Sequence, residues 1–263
     1  VVDGQQQYKP YRYLKDRIRD FYDLGVGFKN SLGVSGGTEM TQYHISASQN
    51  HVDGIVPSNK DTYDRYTLGV NGSHKTKRLT LSSNLNFSTE KNKSIPSGQG
   101  TSLYRSINEI ATDISIVDLK DYNNKFNNLD NYFTPYGVNP YWVIDNNRAI
   151  QDKNKFFGKA QLDYSILDNL KLTYRFGGDY ESSRSEQWNA KIEFTPGSPN
   201  YGSASGTPGD YEERRFERVQ MNHDFIVNYN TRFNDFSLNA IAGGNINERQ
   251  WSRLFGSISS IDI

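Results

Sequence analysis

Residues 156–166 read FFGKAQLDYSI, and how this stretch is read decides the fold. Phe156, Gly158, Ala160, Leu162, Tyr164 and Ile166 fall on one set of alternate positions. Phe157, Lys159, Gln161, Asp163 and Ser165 fall on the other. Successive side chains of a strand point to opposite faces, so this is a strand with one apolar and one mostly polar face. After Leu167-Asp168-Asn169 the alternation resumes. Leu170, Leu172, Tyr174 and Phe176 oppose Lys171, Thr173, Arg175 and Gly177. Two such runs around a short polar turn predict an antiparallel hairpin.

The pattern spreads in both directions. At 78–90, Leu79, Leu81, Leu85 and Phe87 oppose Thr80, Ser82, Asn84, Asn86 and Ser88. At 217–230, Val219, Met221, Phe225, Val227 and Tyr229 oppose Gln220, Asn222, Asp224, Asn228 and Asn230. Residues 236–246 alternate likewise, as do Tyr43, Ile45 and Ala47, and then Tyr66, Leu68 and Val70. A weaker run covers 27–36, where Asn30 interrupts Phe28, Leu32 and Val34. These are eight candidate strands, most of about ten residues. Soluble strands usually have about five or six, whereas a tilted membrane-crossing strand needs about nine to eleven.

Connection lengths carry the second signal. The links at 36–39, 74–77, 167–169 and 231–235 are tight. Those at 53–62, 91–155 and 181–215 are long, and the two kinds alternate. Antiparallel neighbours with tight turns at one end and elaborate loops at the other have the layout of an outer-membrane barrel. A soluble β-sandwich or up-and-down barrel also alternates. Strand length, loop alternation and aromatics near strand ends (Tyr63, Phe87, Phe156, Tyr180, Tyr229, Phe236) favour the membrane form. Helical spacing marks 14–24 and 103–117, the second inside the longest loop.

Composition agrees. Thirty basic and thirty acidic residues give no net charge, which argues against nucleic acid as a partner. Mean hydropathy is −0.78, yet aromatics make up 13%. A wall with one polar face and water-exposed loops explains both; disorder does not, because disordered chains lack aromatics. No cysteine is present, so thiolate metal sites and thiol nucleophiles are excluded. No apolar run reaches transmembrane-helix length, and the first residues lack the apolar core of a signal peptide.

Three stretches resemble the barrel of SusC/RagA-type TonB-dependent outer-membrane transporters of Bacteroidetes. KDRIRDFYDLGVGFKNSLGVSGGTEMTQYHISASQNHVDGIVP (15–57) resembles that family's lead into the barrel. YTLGVNGSHKTKRLTLSSNLNFSTEKN (66–92) resembles its next hairpin. NPYWVIDNNRAIQDKNKFFGKAQLDYSILDNLKLTYRFGGDY (139–180) resembles its Asn-Pro-Tyr-Trp stretch and the hairpin after it. The family's barrels have about twenty-two strands around a plug. The expectation is therefore an all-β chain: an antiparallel transmembrane β-barrel segment of about eight strands, part of a larger, roughly 22-stranded barrel, with long extracellular loops. Neither a plug nor a TonB-box-like segment is visible in the sequence. The expected layout is an opening segment with a short helix (1–26), four strands (27–90) and a long loop with a short helix (91–155). A hairpin (156–180), a loop (181–215), a second hairpin (216–250) and the start of another loop (251–263) follow.

The resemblance implies TonB-dependent import of a glycan or peptide across the bacterial outer membrane. It also implies a SusD-like surface lipoprotein partner, TonB acting through a plug, and outer-membrane lipid around the wall. It implies no enzyme activity and no cofactor. The alternatives are a small complete outer-membrane pore or adhesin, and a soluble β-rich carbohydrate-binding module.

Candidate ligand contacts are Tyr141, Trp142, Asp145 and Arg148 in NPYWVIDNNR, and Trp188, expected mid-loop. Aromatic faces stack on sugar rings, and Asp, Asn and Arg bond hydroxyls or carboxylates. The competing reading has Tyr141-Trp142 pinning the loop to the barrel rim, and it is favoured because the stretch resembles a family feature kept across substrates. His44, His51, His74 and His223 show no metal-ligand spacing. Asp118, Asp121 and Asp130 are the acids that could hold calcium, with solvated loop acids the favoured reading. Glu181/Glu186 and Glu212/Glu213 could be imagined as a glycosidase pair, but sequence spacing alone does not set their separation.

Overall fold

A computed structural model describes residues 10–96, 102–134, 137–202 and 206–260. Eight strands form one antiparallel sheet in the order of the sequence, each paired only with its neighbours in the chain. They are β1 (Val26–Gly37), β2 (Thr41–Asp53), β3 (Thr62–Lys75), β4 (Leu79–Ser94), β5 (Arg148–Leu167), β6 (Leu170–Asn189), β7 (Asp210–Phe233) and β8 (Phe236–Ser259). The sheet is open, with β1 and β8 at its two edges. Its length grows across the sheet, from 12 residues in β1 to 24 in β7 and β8.

The register places the alternating residues on continuous faces. Leu32 pairs with Ala47, Ala47 with Leu68, Leu68 with Phe87, Phe87 with Phe156 and Phe156 with Tyr180. Further along, Tyr174 meets Phe225 and Leu172 meets Val227. The result is one apolar band across all eight strands. Its members stay in contact with solvent: Leu68 is 47% exposed and Phe225 51%. A sandwich would bury this face in its core. Here it stays exposed, in the position that the lipid-facing band holds in an outer-membrane barrel. The other face is polar, with Ser46, Asn71, Asn84, Gln161, Arg175 and Asp224 in successive strands.

The buried core lies elsewhere, at the end of the sheet away from the tight turns. A short helix before β1, α1 (Arg17–Phe21), supplies Phe21. The connection from β4 to β5 supplies α2 (Leu103–Asn108), a 3-10 turn (Val117–Leu119) and α3 (Pro140–Asn146). Phe21, Ile107, Ile110, Ile116, Tyr132, Val143 and Ile144 form one cluster with Ile192 from the β6–β7 connection. Each fully buried side chain of this kind contributes roughly 1.5–3 kcal/mol. The long loops are thus one packed cap. Of the helical spacing at 103–117, only 103–108 and 117–119 are helical, with Ile110 and Ile116 packed between them without regular structure. The first nine residues of the opening segment lie outside the described ones.

The strands run further than the hydropathy pattern reaches. β4 continues to Ser94, β5 begins at Arg148, β6 ends at Asn189 and β7 begins at Asp210. β8 continues to Ser259, across the stretch expected to start a loop. Beyond Tyr180 and Val219 the face that carried the apolar band turns charged. The Arg184 guanidinium donates twice to the Glu213 carboxylate, at 3.0 and 3.1 Å, and Arg215 donates to it at 2.6 Å. The ladder persists through backbone hydrogen bonds and cross-strand ion pairs after the alternation of hydropathy has ended. Trp188, expected mid-loop, is therefore a β6 residue.

Candidate functional site

The stretch NPYWVIDNNR is not an exposed loop. The Asn139 side chain caps α3 by accepting from the Tyr141 amide at 3.0 Å, and Pro140 occupies the first turn. Asn139 is itself buried and donates to the Leu119 carbonyl at 2.8 Å. Tyr141 is 8% exposed, with its ring edge-on to Phe21 at 5.3 Å. Burial raises its hydroxyl pKa, and the charges of Asp23 and Asp118 add to this. Trp142 packs against the same core. Asp145 accepts from Lys60 Nζ at 2.5 Å, which ties α3 to the β2–β3 connection. Arg148 opens β5 opposite Trp188 in register, its guanidinium 5.3 Å from the ring centroid. Three of the five candidate contacts thus belong to the cap, and two form a cation–π pair on the sheet.

None of the five lines the two adjoining recesses on the upper polar face. The first holds about 280 Å³ and is lined by Asn92, Ser94, Gln151, Ser185, Gln187 and Arg214, among others. The second, of about 520 Å³, is lined by Ser183, Ser185, Arg214, Phe216, Arg253 and Phe255, with Arg215. Ser185 and Arg214 are common to both, so the recesses form one trough across β4 to β8. Gln151 bonds Ser185 at 3.3 Å across β5 and β6. Sequence reading missed the trough because most of its residues lie where loops were expected. The available signal was the alternation of Arg214, Phe216 and Arg218 facing that of Arg249, Trp251, Arg253 and Phe255.

Below the trough the polar face is a closed charge network. Arg218 bonds Asp179 at 2.9 Å and Glu181 at 3.2 Å. Lys153 reaches Glu181 at 3.4 Å and Lys155 reaches Asp179 at 3.6 Å. Nearer the tight turns, Asp163 pairs with Lys171 and Asp224 with Arg175. Glu181 and Glu186 sit on opposite faces of β6, as Glu212 and Glu213 do on β7, which is not the arrangement of a glycosidase pair. Among the described residues no three His, Asp or Glu side chains are grouped to hold a metal. Asp130 instead accepts from the Thr195 amide at 2.7 Å. His51 bonds Asp64, His223 bonds Tyr174, His44 bonds Ser35 and His74 bonds Thr41.

No family model and no curated protein sequence matches this chain. Solved structures do. The RagAB peptide importer in its closed-closed state superposes with a TM-score of 0.68 at 17% identity, over 92% of this chain and 26% of that one. The RagAB peptide transporter gives 0.68 at 13% identity, over 95% and 27%. The open-open state of the importer gives 0.66 at 14% identity, over 92% and 26%. This chain has the fold of a segment of that barrel. It spans about a quarter of the RagAB chain it matches. The identities are low, so the likeness concerns the fold.

Proposed function

We propose that this chain is part of the wall of an outer-membrane nutrient importer of the SusC/RagA type. The observation that carries the reading is the solvent-exposed apolar band running across all eight strands, backed by a polar, ion-paired face. Among the described residues no helix is long and apolar enough to cross a membrane, and in this reading the strands are the elements that would cross. The loops form a packed cap at one end, where an importer meets its substrate. The remaining strands, the plug that TonB would pull, and a SusD-like lipoprotein over the cap complete the reading. The substrate is a peptide or oligosaccharide. The trough is the part of this chain that would touch it, since it is the polar-face recess nearest the cap. The likeness to a peptide importer favours a peptide.

The test is to locate the native protein. Detergent extraction of membranes followed by peptide mapping should find these residues in an outer-membrane species of about 100 kDa or more. A surface lipoprotein should co-purify with it. A 30 kDa species in membranes would replace the importer with a small barrel, and a 30 kDa species in the soluble fraction would overturn the membrane reading.

A further inference from the structure

The first recess of the trough carries hydrogen-bonding capacity that the wall itself does not use. Two polar-face rows cross β4 to β7 there. One sets Asn92 against Gln151, Gln151 against Ser185 and Ser185 against Arg214. The next sets Ser94 against Ala149, Ala149 against Gln187 and Gln187 against Glu212. Ala149 carries only a methyl group and leaves room between its longer neighbours, in a space of about 280 Å³. Each of these four strands is paired on both sides, so the unused capacity belongs to side chains in the middle of the sheet and not to an edge.

The lining groups differ in how far they are satisfied. Among the described residues the side chains of Asn92, Ser94 and Gln187 have no hydrogen-bond partner, and Gln151 commits one amide hydrogen to Ser185 at 3.3 Å. The charged groups are committed to one another. Arg214 pairs with Glu212 at 3.0 Å, and Glu186 is held by Arg184 at 2.7 Å and by the Tyr211 hydroxyl at 2.8 Å. Among the described residues no aromatic ring lines this recess.

These groups define the ligand by its chemistry. An anionic group would find Arg214 already paired, and a sugar ring would find no aromatic face to stack on. A peptide main chain fits what is left, since each residue other than proline offers one N–H and one C=O. A primary amide offers two donors and an acceptor in one plane, so it can meet both groups of a peptide unit. We infer that Asn92, Gln151 and Gln187 bind the main chain of a peptide whatever its side chains, an inference that rests on the peptide-importer reading above. These three residues then determine specificity by requiring backbone N–H groups and by leaving side-chain charge unread.

The test uses the intact outer-membrane protein in detergent and four fluorescent probes. Two are uncharged nine-residue peptides, one of alanine and serine and one of valine and threonine. The third is the alanine-serine peptide methylated on alternate backbone nitrogens, and the fourth is a neutral maltooligosaccharide. The two unmethylated peptides should bind within about threefold of each other, and methylation should weaken binding roughly tenfold. Raising the salt concentration should leave both results unchanged, because no charge is engaged. N92L/Q187M should lose the preference for the unmethylated chain and N92Q/Q187N should keep it, with outer-membrane abundance confirming that both fold. Equal binding of the methylated and unmethylated peptides, or a preference that survives N92L/Q187M, overturns this inference and leaves the peptide importer standing. So does a difference of more than tenfold between the two unmethylated peptides. Capture of the oligosaccharide with no binding of any peptide overturns the peptide reading and this inference together.

Discussion

The Asp130 carboxylate accepts the backbone amide of Thr195 at 2.7 Å across 65 positions of sequence, and the Asp130 carbonyl accepts from the Asn200 amide at 3.1 Å. One residue of the β4–β5 connection therefore holds the β6–β7 connection from two sides. Partial burial pushes the Asp130 pKa up, but hydrogen bonding, chiefly from Thr195, outweighs it, and the net shift is downward. A carboxylate with a depressed folded pKa stabilises the fold above its ordinary value of 3.8 and loses that contribution as pH falls through the folded value. Limited proteolysis should cut the 195–209 segment faster below that pH. In Asp130→Ala it should cut faster at neutral pH as well, from a loss of about 1 kcal/mol.

Asn139 joins α3 to the 3-10 turn by capping the one and donating to the Leu119 carbonyl of the other. Asn139→Ala removes the cap and leaves a buried carbonyl unpaired, at a cost of about 2 kcal/mol. Hydrogen exchange at Tyr141 and Val143 should accelerate while the strand amides keep their protection.

Leu85 lies in the apolar band between Val70 and Gly158, whereas Ser82 lies on the polar face between Ser73 and Gln161. An arginine on the lipid face near mid-band costs about 2–4 kcal/mol. Leu85→Arg should lower stability by that amount in urea unfolding from lipid vesicles. Ser82→Arg should stay within about 0.5 kcal/mol of the parent. Equal effects would mean that the band does not face lipid.

Gly54 stands where a methyl group would overlap the Asp61 carboxylate and come within 2.8 Å of the Asp61 carbonyl. The same loop is latched by Gly54 donating to that carbonyl at 2.8 Å and by Val56 donating to the carboxylate at 3.0 Å. Gly54→Ala should open the latch. Carbodiimide coupling of Lys60 to Asp145, which are 2.5 Å apart in the closed loop, should fall several-fold.

Where one face of the sheet is an apolar band, the sequence was readable. Phe156 to Tyr164 and Leu170 to Phe176 alternate because each outward position must be apolar and each inward one can be polar. The hairpin and its turn followed from that pattern. Above the band both faces carry charged residues, the alternation of hydropathy ends, and Arg184, Glu186, Glu213 and Arg215 read as loop although the ladder continues. The trough was hidden for the same reason. α3 was legible in principle, since Asn139-Pro140 is a cap followed by a first-turn proline. Its neighbours Asp145, Asn146 and Asn147 read instead as turn residues. The burial of Tyr141 depends on Phe21, more than a hundred residues away, which no local pattern shows.

Because each strand pairs only with its neighbours in the chain, assembly can proceed hairpin by hairpin. Four of the seven seams are joined by tight turns, and two of the others by connections of moderate length. The β4–β5 seam alone must wait for the whole stretch from Ile95 to Asn147 to bring its ends together. Loop closure becomes costlier only slowly with length, by about 0.6 kcal/mol per doubling, and the cap core shortens the effective span. The cap is thus a splint for the slowest joint of the wall as well as its outer surface. Variants that loosen it, such as Asn139→Ala, should delay the joining of the two halves of the sheet more than they weaken the finished wall.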